Sequence, residues 1–403
     1  MSKLSQSLAK HNAASKAITL CPYCFEETKT QSQIFRCSNS RGTCQTEPDA
    51  HVAKHFGLSN AVPLGHVFSK PKGVATKLMN KVRASGTVNC DLCHAPAKQI
   101  CPHCHADLPQ AFPNKTHKTV LVVGPKGAGK SHFIASLIHS LQENAAHNAG
   151  LVFSSEGETT QEIAEESYLA PVFNQRKTLS ETKGARENPQ IRQPLVYHLD
   201  PISQAHSAPY KSSGPLTVSL YDTSGATFFE EQDPFNEKLL AHADALIFIM
   251  DPAQLPGWPG CEDLPGQGDV PGSLVHQLEF IINRCAQARG QNVLQIPTCF
   301  VLPKVDLLAH AFPATSLILK DSTGARTANL EESKALSHEV MGFVGLWGGK
   351  NTINLINKFF KSYTFTALSS LGNTQSSETL DIISPHRVTD PLFWLISEWQ
   401  KVT

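Results

Sequence analysis

One octapeptide limits what this chain can fold into more than any other feature. Gly124-Pro125-Lys126-Gly127-Ala128-Gly129-Lys130-Ser131 fits the pattern G-x-x-x-x-G-K-[ST]. A short β-branched apolar run, residues 119–123, precedes it. After it, residues 130–142 place Phe133, Ile134, Leu137, Ile138 and Leu141 on one helical face. Strand, glycine loop, helix is the context in which this pattern forms a phosphate-binding P-loop. Backbone N–H groups of Lys126, Gly127, Ala128 and Gly129, with the helix N-terminus behind them, offer partial positive charge to phosphate oxygens. Glycine is required where a side chain would block that approach, Gly124 included. Lys130 is expected to reach the β- and γ-phosphates, and the Ser131 hydroxyl to ligate Mg²⁺.

The residues around this loop continue the same rhythm. Strand-like runs at 216–221, 245–250, 298–302 and 363–367 alternate with helical patterns at 273–289, with Ser273 as N-cap, and at 351–361. Such alternation predicts an α/β fold with a mostly parallel sheet covered on both faces. Two stretches break it. Residues 143–214 are polar, mixed and too long for an ordinary loop. Residues 251–272 carry five prolines and five glycines and predict a stiff, irregular insertion. Near the end, Asp390 followed by Pro391 reads as an N-cap and first turn of a terminal helix.

Three strand ends add chemistry. Asp222-Thr223-Ser224-Gly225 matches D-x-x-G, in which the Asp holds Mg²⁺ through water and the Gly N–H senses the γ-phosphate. Pro303-Lys304-Val305-Asp306 is similar to N-K-x-D, whose Asp accepts two hydrogen bonds from the guanine edge and whose Lys stem lies along the base. Thr366-Ala367-Leu368-Ser369 is similar to the loop whose backbone N–H meets the guanine oxygen. Each follows a strand, where α/β sheets bind ligands, and the three occur in order.

On these residues the segment 116–383 resembles the Ras-like, translation-factor class of P-loop GTPases. The resemblance implies a G domain that binds GTP or GDP with Mg²⁺, and a catalytic set of Lys130, Asp222, Gly225 and a switch Thr. Thr182 is the choice for that Thr, with Thr178 and Thr160 as rivals. Two departures stand out. Pro303 replaces the Asn that ties the base to the P-loop, leaving selectivity to Asp306 and the backbone near Ala367. Ala226 stands where a water-orienting Gln is frequent, which implies slow or partner-assisted hydrolysis.

The front of the chain has a different chemistry. Eight of the eleven cysteines fall before residue 105: Cys21, Cys24, Cys37, Cys44, Cys90, Cys93, Cys101 and Cys104. C-x-x-C turns beside an intracellular nucleotide motif favour metal over disulfides and a reducing compartment, the cytoplasm. Eight thiolates suit two Zn²⁺ ions. The spacing C-x₂-C-x₇-C-x₂-C of the last four is a zinc-ribbon pattern. Sequential pairing is the simplest assignment, and crossed pairing of the two sets stays open. His51, His55, His94, His103 and His105 read as exposed residues.

The sequence thus divides into a tail over 1–17, a zinc-ribbon module over 18–108 and a GTPase domain over 116–403 with its terminal helix. A net charge of zero hides an asymmetry. Residues 1–118 hold 15 Lys and Arg against 6 Asp and Glu, and the remainder holds 20 against 29. Two zinc tetrathiolates would lower the front's surplus to about +5, mostly at residues 54–83, including Lys70, Lys72, Lys77, Lys81 and Arg83. Without interleaved aromatics that segment reads as a protein-docking surface in preference to a nucleic-acid one. No apolar run approaches the ~20 residues of a membrane span.

A cysteine-rich front, a Ras-like body and the ending Arg387-Val388-Thr389-Asp390-Pro391-Leu392 together resemble the bacterial double-GTPase proteins of multi-gene conflict or defence systems. That resemblance implies a switch working with other encoded components, a second GTPase among the candidates. The competing classes are a nucleotide-binding scaffold that barely hydrolyses and a zinc-dependent nucleic-acid-binding ATPase.

Overall fold

The computed structural model describes residues 18–29, 34–39, 44–61, 63–69, 88–109, 112, 116–180, 192–202, 214–223, 234–259, 274–321, 330–372, 380 and 382–401. The chain divides into two compact units, residues 1–114 and 115–403.

In the first unit, strands β1 (Ile18–Leu20) and β2 (Glu27–Lys29) pair antiparallel. Next come β3 (Ile34–Cys37), β4 (Thr46–Pro48), helix α1 (Ala50–Phe56), β5 (Pro63–Gly65), β6 (Val67–Ser69), β7 (Val88–Asn89) and β8 (Pro96–Ile100). A four-stranded antiparallel sheet runs β6-β3-β8-β7. Its apolar cluster is small: Phe35 and Phe68 with Cys37, Cys44 and Cys90. Such a core needs further stabilisation, which in small domains comes from metal or disulfides. Arg36 is buried and multiply bound, to Asp49 at 2.9 Å, Asp107 at 2.7 Å and the His105 carbonyl at 2.8 Å. Asp49 is also the N-cap of α1.

The second unit is built on a seven-stranded sheet. Its elements are β9 (Thr116–Val123), α2 (Lys130–Ser140), β10 (Leu151–Ser155), α3 (Gly157–Ala164), β11 (Leu195–Pro201), β12 (Leu216–Asp222), α4 (Pro234–His242), β13 (Ala245–Ile249), α5 (Leu274–Arg289), β14 (Thr298–Leu302), α6 (Leu330–Leu346), α7 (Lys350–Phe359), β15 (Tyr363–Ala367) and α8 (Asp390–Lys401). The order is β10-β11-β12-β9-β13-β14-β15. The five strands from β12 to β15 pair in parallel, and β10 and β11 add antiparallel. The mixed, mostly parallel α/β architecture read from the sequence is therefore present.

The central strand β9 is apolar and fully buried from Val120 to Val123. The expected face of α2 is buried on it: Phe133, Ile134, Leu137 and Ile138, with Leu141 in the turn beyond. Each such side chain contributes ~1.5–3 kcal/mol of transfer free energy. Leu392, Leu395 and Ile396 of α8 join the same core. Cys285 and Cys299 are buried in helix and strand.

The polar stretch after residue 142 is more ordered than its composition implies. It holds β10, α3, β11 and two π-helical segments, Leu141–Ala145 and Glu165–Asn174. β11 is hidden from a pattern reading because it carries His198 and Asp200 among its apolar residues, and Pro171 inside the second π-segment looks like a breaker. After β13 a 3₁₀ turn, Pro252–Gln254, leads to Trp258, which is buried edge-on to Trp347. Residues 260–273, with Ser273 among them, lie outside the described residues. At the end of the chain α8 includes Asp390 itself, and the Phe393 N–H bonds the Thr389 carbonyl. Asp390 does not take the N-cap position; its carboxylate holds the Arg387 Nε at 2.7 Å. Among the described residues no helix is long and apolar enough to cross a membrane.

Candidate functional site

The glycine loop turns sharply between β9 and α2. A Cβ on Gly124 would lie 2.3 Å from the Ile249 carbonyl, so the loop's start can approach the end of β13 only without a side chain. Gly127 and Gly129 have φ of 77° and 92°, in the left-handed region where other residues are strained. A Cβ on either would meet nothing within 4 Å, so both positions border open space. Lys126 is exposed and Ala128 buried. The buried Lys130 loops back to donate to the carbonyls of Gly124 (3.0 Å) and Pro125 (2.8 Å). Burial lowers its pKa, while Asp222 and Asp251 favour the charged form.

Strand β12 lies next to β9 in parallel register, Asp222 opposite Val122. Thr223 fixes the exit from the strand, its hydroxyl donating to the Val122 carbonyl at 2.8 Å. Asp222 accordingly faces α2, and Ser131 donates to its Oδ2 at 2.7 Å. A second hydroxyl, that of Tyr168 in the Glu165–Asn174 segment, donates to the same oxygen at 3.2 Å. Tyr168 was not legible as a site residue. Thr160, a rival for the switch Thr, is buried and accepts the Val196 N–H. Thr178 is exposed, and Thr182, Gly225 and Ala226 lie outside the described residues.

Two strands away, β14 and β15 end together. Leu368 N–H donates to the Leu302 carbonyl at 2.9 Å, and Val305 N–H to the Leu368 carbonyl at 3.2 Å. This knits the segment carrying Lys304 and Asp306 to the one carrying Ala367. Ser369 donates to Asp306 Oδ1 at 2.5 Å. Lys304 sits at a left-handed φ of 62° and its Nζ lies 3.6 Å from Asp251, at the end of β13. Pro303 offers no side-chain donor, and the ties to the P-loop side run through other residues. Ser136 of α2 donates to the Ser370 carbonyl at 2.6 Å, and Asp251, beside Lys304, also favours the charged form of Lys130. Ser136 and Asp251 were missed because neither belongs to a motif. His132, next to Ser131, accepts the Leu179 N–H through Nε2 at 2.9 Å. Burial, with Lys304 adding to it, pushes His132 down to about 4, which keeps that nitrogen an acceptor.

The cysteines of the first unit form two tetrads, Cys21-Cys24-Cys101-Cys104 and Cys37-Cys44-Cys90-Cys93, with the sulfurs of each within 4.8 Å of one another. This replaces the sequential pairing with the crossed one. The reason is β8: five extended residues hold Cys90-Cys93 and Cys101-Cys104 at opposite ends of a strand, about 16 Å apart. The antiparallel register of β3 on β8, Cys37 opposite Ala97, brings the early cysteines to those ends. Three of the C-x-x-C turns share one backbone form. Phe25, His94 and His105, each just after the second cysteine, have φ of 58°, 60° and 57°. Their N–H groups bond the carbonyls of Cys21, Cys90 and Cys101.

Sulfur separations across the tetrads are 3.9 and 3.7 Å in the first, and 3.4 and 3.7 Å in the second. Sulfurs each about 2.3 Å from a tetrahedral ion lie about 3.8 Å apart, so the donor set fits. A disulfide, at ~2.05 Å, does not. Some thiols are already biased to ionise: the Ala95 N–H lowers Cys93 to about 7, and its three neighbours hold Cys101 well below the thiol range. Burial drives Cys21 the other way. Four buried sulfurs this close cannot all ionise without a cation between them. None of the five histidines joins either tetrad among the described residues.

The chain is similar to several known proteins. Over 406 residues, 94% of this chain and 98% of the relative, the sequence is 23% identical to a candidate ESX-1 scaffolding and assembly protein, SaeC, of Mycolicibacterium smegmatis. Among solved structures, the Arl6 (BBS3) small GTPase of Trypanosoma brucei with bound GppNp is 13% identical; the alignment covers 72% of this chain and 100% of that one, with a TM-score of 0.31. The GTPase-like domain of S. cerevisiae Ski7 bound to GTP is 14% identical over 70% of this chain and 50% of that one, with a TM-score of 0.34. The family model for Double-GTPase 2 matches residues 118–341, over half of the chain, from the first residues of the P-loop strand to α6. On that match the chain belongs to the double-GTPase 2 family.

Proposed function

We propose that the chain is a guanine-nucleotide switch that binds GTP and GDP with Mg²⁺ and hydrolyses GTP slowly. Residues 116–403 form its GTPase domain, and residues 18–108 form a module holding two Zn²⁺ ions that engages protein partners in the cytoplasm. The observation that carries this reading is the Ser131–Asp222 contact of 2.7 Å beside an open glycine loop. A hydroxyl and a carboxylate joined at the phosphate end of a P-loop are the donor pair for Mg²⁺. Lys130 supplies positive charge to the phosphates, and Asp306 reads the base. Ser131 and Asp222 would hold the Mg²⁺, which would supply charge neutralisation to the phosphates. Thr182 and Gly225 are assigned to sensing the γ-phosphate. The two thiolate tetrads support zinc through their number, spacing and softness. A full-length relative named for scaffolding and assembly supports a protein partner, a second GTPase among the candidates, in preference to nucleic acid.

Asp306→Asn tests the base assignment. An ionised Asp306 accepts from guanine N1–H and the 2-amino group, and adenine lacks both donors there. The substitution is expected to weaken GTP binding by tens-fold, since it removes charge-assisted bonds of about 2 kcal/mol or more. It is also expected to favour xanthosine triphosphate, whose 2-oxo group accepts from the new amide. Isothermal titration with both nucleotides checks this, and unchanged GTP affinity removes the role of Asp306. Ala226 favours low turnover, and single-turnover hydrolysis with protein in excess separates a slow enzyme from a non-hydrolysing scaffold.

A further inference from the structure

We propose that Tyr168 is a positioning residue for the Mg²⁺ centre, holding the Asp222 carboxylate in the orientation that serves the metal. The proposal rests on the guanine-nucleotide reading above and adds a residue from outside every motif. Three observations lead to it. The Tyr168 hydroxyl donates to Asp222 Oδ2 at 3.2 Å, and Ser131 donates to that same oxygen at 2.7 Å. Its ring packs against two apolar clusters, that of the sheet and α2 and that of Ala135, Val172, Leu371 and Leu380. Finally, it is carried by a π-helical segment of 10 residues, Glu165–Asn174.

The π-helix is rare beyond a single turn and concentrates at functional sites. Here Leu169 and Val172 are buried within it, and Phe173 stacks on His139 of α2 with ring centroids 3.8 Å apart. The segment is therefore fixed along the P-loop helix, and Tyr168 reaches Asp222 from a rigid base. A phenylalanine would fill the same apolar space. What the tyrosine adds is a neutral donor to an ionised acceptor, a bond roughly twice as strong as a neutral pair. A phenol is protonated at neutral pH, so the hydroxyl is a donor to the carboxylate. Donation stabilises the Asp222 carboxylate as an anion and fixes its rotation, the two properties a hard cation demands of an oxygen ligand.

Tyr168→Phe keeps the ring and removes the donor. The probe is a fluorescent GDP analogue, whose release rate from the full chain is measured across a Mg²⁺ titration and again in EDTA. The Mg²⁺ concentration needed for half-maximal retention is expected to rise about tenfold. The release rate in EDTA and the melting temperature are expected to stay at wild-type values. In an Asp222→Asn background the same substitution is expected to change the Mg²⁺ midpoint less than twofold, because the bond it removes is already altered. An unchanged midpoint in Tyr168→Phe overturns the proposal. So does an equal weakening with and without Mg²⁺, which would assign Tyr168 to packing of α2 alone. A wild-type protein that shows no Mg²⁺-dependent retention overturns the guanine-nucleotide reading and this proposal with it, whereas a Mg²⁺-dependent wild type with an unaffected Tyr168→Phe overturns only the latter.

Discussion

Lys130→Ala is expected to reduce guanine-nucleotide affinity by at least about a hundredfold. The side chain is buried at the foot of the glycine loop, where the carbonyls of Gly124 and Pro125 hold its ammonium. Bound phosphates would draw it outward into charge-assisted hydrogen bonds, each worth about 1.5–3 kcal/mol. Lys126, the other lysine of the loop, is exposed where Lys130 is buried. The loss should appear equally for GTP and ATP, since the lysine acts on phosphate and not on base, and be smaller for GDP, which lacks the γ-phosphate. Equilibrium titration with a fluorescent nucleotide measures it, and circular dichroism verifies the fold. A folded Lys130→Ala protein that binds GTP normally would show that the loop is not a working phosphate site.

The second large effect belongs to the cysteine module. Purified protein is expected to carry two zinc ions per chain, and Cys101→Ser to lose one of them. Structural zinc supplies ~10–16 kcal/mol in small zinc-finger peptides at neutral pH, and the apolar cluster here has few members to compensate. The module should therefore lose order while the nucleotide domain keeps its transition. The crossed tetrads give a sharper outcome. Cys21→Ser combined with Cys101→Ser removes two ligands from one tetrad and should still leave one ion. Cys21→Ser combined with Cys37→Ser damages both tetrads and should leave none. Sequential pairing would reverse that pattern. Elemental analysis of the variants decides between them, and a wild-type content of one ion or none would contradict two sites.

Much of this was written in short local signals, and what was hidden depended on distant ones. The P-loop, the strands at 298–302 and 363–367 and the face of α2 are set by β-branched runs, glycine and 3.6-residue periodicity, all readable within a dozen residues. Cysteine spacing announced two tetrads but could not pair them, because the partners lie 46 to 83 residues apart and are matched by the register of β3 on β8. β10 and β11 escaped because antiparallel strands at one side of a sheet tolerate polar residues such as Ser154 and His198. Tyr168, Ser136 and Asp251 escaped for a related reason. Their value lies in what they touch, Asp222, Ser370 and Lys304, and no spacing rule connects a π-helical tyrosine to a carboxylate 54 residues later.

The proposed switch depends on a preference for guanine. Asp306, held by Ser369 at the joined ends of β14 and β15, is the group that would make the choice. Adenine in the same place would leave that carboxylate facing no donor, at a cost of more than about 2 kcal/mol. The most direct measurement is the affinity of the wild-type protein for GTP and for ATP, titrated side by side in one Mg²⁺ buffer. GTP is expected to bind tens-fold tighter; equal affinities, or a preference for ATP, would overturn the guanine assignment.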